Sequence, residues 1–168
     1  MENKILYRNL EAVRTVNKQL ETRLRWPVDM SRFGFGRNGE PMYLHHTAWM
    51  PFMQDGAAVG QRLDTVADVI LFGIGFGEYV QYVLEKKADI SLTVWERDPA
   101  LLRFVLSNRD FSRSIKKGRL RILLGVDLLT AVDHFRKNEV VYHPFFSEIY
   151  YPEKEYIEKR NSGQHMLM

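Results

Sequence analysis

Residues 69–77 read Val-Ile-Leu-Phe-Gly-Ile-Gly-Phe-Gly, an apolar run that leads directly into three glycines. An uninterrupted apolar run of this kind is typical of a strand that is buried on both faces of a parallel sheet. Gly73, Gly75 and Gly77 allow the backbone to turn tightly after that strand, and apolar residues then recur at helical spacing. The stretch therefore predicts a strand, a glycine loop and a helix in succession.

Three more strands are expected after this one. Apolar stretches at residues 92–95, 120–124 and 139–142 alternate with segments of helical periodicity, and Asp98 followed by Pro99 predicts the start of one helix. Strands that alternate with helices favour a parallel sheet with right-handed crossovers. We therefore expect an α/β, Rossmann-like domain whose four strands, counted along the chain, lie in the order 3-2-1-4.

The residues before this unit predict a helix and a small β-hairpin. Apolar residues line one helical face over residues 5–24, and Pro27 should end that helix near Trp26. Residues 28–50 are rich in aromatic residues and glycine, and Asn38-Gly39 is typical of a type I′ turn between antiparallel strands. We expect both elements to pack outside the Rossmann-like unit.

The pattern also predicts how the chain is organised. Residues 1–63 form an appendage, residues 64–150 the Rossmann-like domain, and residues 151–168 a tail or linker. Helices are expected over residues 54–63 and 128–135.

Composition excludes several classes of protein. The 168 residues carry 24 Lys and Arg against 21 Asp and Glu, a surplus too small and dispersed to indicate nucleic-acid binding. The densest basic stretch, residues 109–121, is interpreted as a solvated helix end and turn, with a phosphate-binding patch as the alternative. Without cysteine there are no disulfides, thiolate metal sites or cysteine nucleophiles. No run of about 18 apolar residues and no signal peptide is found, so we expect a cytoplasmic protein with neither membrane nor nucleic acid as partner.

The candidate ligand site lies beyond the carboxyl ends of the strands, where open parallel sheets bind ligands. The glycine loop would bring backbone N–H groups and a helix N-terminus towards a phosphate or other polar group. Glu96 ends the second strand, 96 − 77 = 19 residues beyond Gly77, where an acid can accept hydrogen bonds from ribose hydroxyls. Asp127 follows the third strand and His143 ends the fourth. The expected ligand-binding residues are Gly73, Gly75, Gly77, Glu96, Asp127 and His143.

Each of these residues also has a purely structural interpretation. The glycines would serve strand-to-helix packing, Glu96 would pair with a neighbouring arginine in solvent, Asp127 would cap a helix, and His143 would be hydrogen-bonded at its strand end. His45 and His46 are adjacent on an expected strand, so their side chains should point to opposite faces and not share a metal. The sequence has no nucleophile elbow, P-loop or paired-histidine motif, so no catalytic or metal-binding residue is assigned.

The glycine loop, Glu96 and Asp127 resemble the cofactor site of class I S-adenosylmethionine-dependent methyltransferases. That resemblance implies an S-adenosylmethionine ligand. Two features depart from it: Leu71 stands where those enzymes usually carry an acid, and only 168 − 143 = 25 residues follow His143.

A second resemblance covers nearly the whole chain. Residues 9–13, 71–77, 96–99 and 118–121, followed by His143-Pro144, are similar in order and spacing to the N-terminal domain of the Maf family. These motility accessory factor glycosyltransferases attach nonulosonic acids to bacterial flagellin. In that family the chemistry is assigned to a larger central domain, so the resemblance supplies no catalytic residue.

The Maf resemblance implies a non-catalytic module that binds a nucleotide-like ligand or a partner. Its partners would be a downstream or separate glycosyltransferase domain and, indirectly, flagellin. A small methyltransferase and a structural interaction module without ligand are the alternatives. The identity of the ligand, a nucleotide or an S-adenosylmethionine-like molecule, stays open.

Overall fold

The computed structural model describes residues 3–52, 68–125 and 139–142. Within these residues the helices are α1 (Lys4–Val16), α2 (Lys18–Arg25), α3 (Glu78–Lys86), α4 (Pro99–Leu106) and α5 (Ser112–Lys116). The strands are β1 (Phe33–Phe35), β2 (Pro41–His45), β3 (Ala48–Pro51), β4 (Asp68–Phe72), β5 (Ser91–Glu96), β6 (Leu120–Leu124) and β7 (Glu139–Tyr142). The helices expected over residues 54–63 and 128–135, and the tail, lie outside the described residues.

The larger sheet has four parallel strands in the order β6-β5-β4-β7. Counted along the chain from β4, these are the third, second, first and fourth strands of the sheet. Ile70 and Phe72 on β4 and Val94 on β5 are all buried, as the uninterrupted apolar runs predicted. The expected α/β architecture is confirmed.

The expected single helix over residues 5–24 is wrong in one respect, because Asn17 divides it into two. Asn17 has an extended backbone, with φ −157° and ψ 93°, and its side chain accepts a hydrogen bond from the Leu20 N–H at 3.0 Å. It therefore ends α1 and caps α2. Asparagine favours such caps because its short amide competes with the helical backbone bonds. The end of the second helix is as expected, since α2 stops at Arg25 with Trp26 as its C-cap.

The predicted hairpin is present, with a third strand added and a different turn. β1, β2 and β3 form an antiparallel sheet. In the turn between β1 and β2, the Gly39 N–H donates to the Gly36 carbonyl at 3.1 Å, and Gly39 has φ 79°. Asn38 does not have the positive φ that a type I′ turn requires at both central residues. Only Gly39 is left-handed, so the turn is not of type I′. The connection is one residue longer than the two residues of a type I′ turn.

Long-range contacts of Asn9 and Arg32 help to attach the N-terminal elements to the Rossmann-like unit. The fully buried Asn9 of α1 donates through Nδ2 to the carbonyls of Leu106 and Arg109 at 2.8 and 2.7 Å. Its Oδ1 accepts from the Phe111 N–H at 2.8 Å. Arg32, just before β1, forms an ion pair of 2.6 Å with Asp98. The hairpin is thereby held beside the carboxyl end of β5.

Asp98 also caps α4, as predicted from Asp98-Pro99. Its Oδ1 accepts from the Ala100 N–H at 2.9 Å and the Leu101 N–H at 3.4 Å, and Pro99 occupies the first helical position. Since α4 begins directly beyond β5, this cap fixes how the chain leaves the carboxyl end of that strand.

Candidate functional site

The glycine loop lies at the carboxyl end of β4, as expected. Gly73, Gly75 and Gly77 have φ values of 92°, 58° and 85°, in the left-handed region that favours glycine. Gly77 is the N-cap of α3, and a Cβ there would lie 2.9 Å from Val105 Cγ1 and 2.9 Å from Arg109 Cδ. The loop therefore needs glycine at Gly77 both for backbone conformation and for close packing against α4.

Four of the five loop residues donate their backbone N–H to acceptors of the chain itself. Two of these bonds go to carboxylates, from Ile74 to Glu96 Oε1 at 3.1 Å and from Phe76 to Glu78 Oε2 at 2.9 Å. The other two go to backbone carbonyls, from Gly73 to Trp95 at 2.8 Å and from Gly77 to Ile74 at 2.9 Å. A phosphate-binding loop presents such N–H groups to its ligand. Here the Ile74 and Phe76 N–H groups are already bonded to carboxylates of the chain.

Glu96 joins the ends of neighbouring strands. Its side chain is fully buried and not in solvent. Its Oε2 accepts from the Asp98 N–H at 2.8 Å, and its backbone carbonyl accepts from the Gly125 N–H at 2.9 Å. Together with the Ile74 bond, these contacts fasten the β4, β5 and β6 ends to one another. A role of Glu96 in binding ribose stays a prediction.

The structure thus brings four of the six expected ligand residues together at one end of the sheet: Gly73, Gly75, Gly77 and Glu96. The other two, Asp127 and His143, lie outside the described residues.

Arg109 is a contributor to this region that sequence reasoning missed. It is not solvated, as the basic stretch suggested, but partly buried, and its Nε donates to the Phe76 carbonyl of the loop at 2.6 Å. Its guanidinium lies over the Phe76 ring at 4.7 Å and also bonds Gln81. Burial lowers the pKa of Arg109, an effect opposed by the charges of Glu78 and Glu85. Arg109 clamps the glycine loop against α4 and α3.

A cavity of about 630 Å³ lies beside this clamp. Phe35, Phe76 and Phe111 form apolar walls, while Gln81 and Arg109 contribute polar groups. The cavity has the size of a small-molecule site. Its arginine is already bonded to a carbonyl and an amide of the chain, which accounts for its position without a ligand.

The two adjacent histidines do not point apart as expected. His46 is in the turn after β2, with φ 56°, and the rings of His45 and His46 lie 4.4 Å apart. The left-handed backbone at His46 breaks the alternation on which the expectation rested. Even so, the described residues contain no group of three or more side chains that would hold a metal ion.

Comparison with known proteins gives a structural likeness. No family model matches the chain, and no curated protein does. Among solved structures, the MAf glycosyltransferase from Magnetospirillum magneticum AMB-1 matches 96% of this chain with a TM-score of 0.65. The chain has the fold of part of a Maf glycosyltransferase. The Maf resemblance noted in the sequence is therefore supported at the level of fold.

The extent of the match is also informative. The aligned residues are 12% identical, and the chain spans 35% of the length of the solved Maf protein.

Within the part of the chain that the structure describes, no helix is long and apolar enough to cross a membrane.

Proposed function

We propose that the chain is a cytoplasmic, non-catalytic module of the Maf N-terminal type, with residues 64–150 as its Rossmann-like domain. It would act with a glycosyltransferase domain in attaching nonulosonic acids to flagellin. The observation that carries the proposal is the fold likeness, which extends over 96% of this chain but only 35% of the solved Maf protein. About two-thirds of that transferase lies outside the match.

The hydrogen bonds of the glycine loop support a partner-binding role over a nucleotide-binding one. A nucleotide site needs N–H donors for phosphate and an accessible carboxylate for ribose. In this loop Ile74 and Phe76 donate to Glu96 and Glu78, and Glu96 is fully buried. A phosphate that binds to the Ile74 or Phe76 N–H would have to displace the carboxylate that now accepts from it.

The same contacts argue against transferase chemistry within this chain. A transferase holds donor and acceptor together and supplies groups that move a proton or stabilise charge. Glu96, the central acid at this end of the sheet, already accepts two backbone hydrogen bonds. The methyltransferase alternative gains no support from Leu71, which is buried and lies in register with Val94 and Val141 on the adjoining strands.

The proposal is tested by two assays. The pure protein is incubated with labelled S-adenosylmethionine or a CMP-activated nonulosonic acid, with flagellin as acceptor, and no label should be transferred. In the cell of origin, removal of the chain should lower the nonulosonic acid content of flagellin. Label transfer that disappears in a His143→Ala variant would make the chain an enzyme. Unchanged flagellin glycosylation after removal would separate the chain from this process.

A further inference from the structure

The cavity of about 630 Å³ beside Arg109, which we call the clamp cavity, has an apolar side that is only partly covered. Phe35 and Phe76 meet edge to face, with ring centroids 5.9 Å apart, and Leu84 and Phe111 continue this lining. Phe35 remains 51% exposed, so about half of its surface is available for contact. Small-molecule sites typically have such a lining of apolar side chains with a few polar groups among them.

The polar side of the clamp cavity is a row of three hydrogen-bonded side chains. Arg109 Nη1 donates to Gln81 Oε1, and Gln81 Nε2 donates to Glu85 Oε1 at 2.9 Å. Gln81 and Glu85 lie one turn apart on α3, so both line the same side of the cavity. The row therefore has a cation at one end and a carboxylate at the other.

Each end of this row keeps one atom that forms no hydrogen bond with the described residues. Arg109 donates through Nε to the Phe76 carbonyl and through Nη1 to Gln81, which leaves Nη2. Glu85 accepts through Oε1, which leaves Oε2. A guanidinium N–H bonds a carboxylate strongly, and a carboxylate oxygen accepts equally well from an ammonium group. The cavity thus offers one place for a carboxylate and one for an ammonium group.

Asp110, the third charged residue of the lining, is bonded within the chain. Its Oδ2 pairs with Arg8 at 3.1 Å, and its Oδ1 accepts from the Ser112 N–H at 3.0 Å and the Ser112 hydroxyl at 2.6 Å. The charge that a ligand meets is therefore set by Arg109 and Glu85.

The charges around the cavity decide between classes of ligand. Arg109 already interacts with the negative charges of Glu78 and Glu85. A ligand with only a negative charge would be attracted by Arg109 but repelled by both acids, and a ligand with only a positive charge would be repelled by Arg109. A zwitterion places the opposite charge beside each end of the row.

The length of the row indicates how far apart the two charges of the ligand are. Two hydrogen bonds and one amide group separate Arg109 Nη1 from Glu85 Oε1, a path of roughly 8 Å. An α-amino acid that forms a hydrogen bond at each end has a path of about the same length. One such molecule can therefore bridge the row.

We propose that the clamp cavity binds a zwitterionic α-amino acid with an apolar side chain. Its carboxylate accepts from Arg109 Nη2, its ammonium group donates to Glu85 Oε2, and its side chain covers the exposed part of Phe35. This site is separate from the glycine-loop N–H groups and does not depend on a role in flagellin glycosylation.

The test is isothermal titration calorimetry of the protein with L-phenylalanine. A ligand of this size should bind with a Kd on the order of 0.1–1 mM. N-acetyl-L-phenylalanine lacks the ammonium charge, phenethylamine lacks the carboxylate, and glycine lacks the apolar side chain. Each should bind at least about 10-fold more weakly, because each loses one of the three contacts. The ligand is varied at the arginine end because Arg109 also holds the glycine loop.

A matched pair of substitutions tests the acidic end. Glu85→Gln removes the charge that binds the ammonium group and should weaken L-phenylalanine binding about 10-fold. Asp89→Asn removes the same charge from an exposed residue between α3 and β5 and should leave the affinity unchanged. Equal thermal unfolding temperatures of the two variants and the unaltered protein show that folding is intact.

Three outcomes would overturn the proposal. The first is no heat of binding with L-phenylalanine at about 10 mM, a concentration at least ten times the expected Kd. The second is N-acetyl-L-phenylalanine or phenethylamine binding as tightly as L-phenylalanine, which would make the ligand a simple anion or cation. The third is an equal affinity of the Glu85→Gln and Asp89→Asn proteins for L-phenylalanine.

Discussion

Replacing Glu96 with glutamine should destabilise the fold, because its buried carboxylate accepts two backbone hydrogen bonds, one buried and one partly buried. The bonds come from the Ile74 N–H at 3.1 Å and the Asp98 N–H at 2.8 Å, one to each oxygen. Glutamine keeps one acceptor oxygen and places an NH₂ group where the second oxygen was. One backbone N–H then faces another donor. If Glu96 were instead poised for ribose, the substitution would affect ligand affinity and leave stability almost unchanged.

The size of the effect follows from these two bonds. Leaving one buried N–H unsatisfied costs about 1–3 kcal/mol. The remaining bond loses its charge assistance, which adds about 1 kcal/mol. The free energy of unfolding should therefore fall by about 2–4 kcal/mol. With a urea dependence of about 2 kcal/mol per molar, the unfolding midpoint should fall by about 1–2 M.

Urea unfolding followed by circular dichroism provides the measurement, with Glu85→Gln as the matched control. Glu85 is exposed on α3 and, among the described residues, accepts from the Gln81 side chain, so the control should change the free energy of unfolding by less than about 0.5 kcal/mol. A Glu96→Gln midpoint within the error of the control would refute the reasoning. The carboxylate would then be dispensable to the fold.

Three further predictions concern other contacts of this region. Gly77→Ala should lower the free energy of unfolding by about 2–4 kcal/mol, because its φ is left-handed and the new Cβ would make 2.9 Å contacts. Gly39→Ala, with φ 79° and nothing within 4 Å of the new Cβ, should lower it by about 1–2 kcal/mol. Equal losses in urea unfolding would contradict the close packing at Gly77. Asn9→Ala should cost about 2–4 kcal/mol, since three hydrogen bonds, two of them buried, are lost, and a loss below about 1 kcal/mol would show that α1 is not anchored there. The Ser112 hydroxyl bond lowers the pKa of Asp110, so its contribution should be present at neutral pH and lost as pH falls through that lowered pKa. Asp110→Asn should thus cost less than about 1 kcal/mol at pH 7 and nothing in strong acid, and a pH-independent difference in unfolding temperature would contradict this.

Local patterns were sufficient to predict the elements around the glycine loop. The apolar run before Gly73, the Asp98-Pro99 cap and the spacing of the later strands each depend on neighbouring residues, and each was found where expected. The break at Asn17 was also encoded locally, but the apolar periodicity that continues through it concealed the cap. The dipeptide Asn38-Gly39 predicted a type I′ turn, but that turn requires a positive φ at both residues, and Asn38 does not have one.

The side-chain contacts that define the site could not be predicted in the same way. Arg109 bonds a carbonyl 33 residues away in sequence, and Asn9 bonds groups about 100 residues away. Only the folded arrangement of α1, α3 and α4 brings these groups together. Glu96 was selected because acids occur at this position in nucleotide sites, but its internal partners, Ile74 and Asp98, become visible only when the strands are aligned.

The central claim is that backbone N–H groups of the glycine loop are hydrogen-bonded to the chain's own carboxylates, and that the module binds no nucleotide. Its most direct test is a thermal unfolding titration with cytidine nucleotides, S-adenosylmethionine and dinucleotides. A ligand present at 100 times its dissociation constant stabilises a folded protein by about 2.7 kcal/mol, which for a domain of this size raises the unfolding temperature by roughly 5–10 °C. The account predicts no rise with any of these compounds at millimolar concentration. A saturable rise that is abolished in a Glu96→Gln protein still folded at the assay temperature would contradict it.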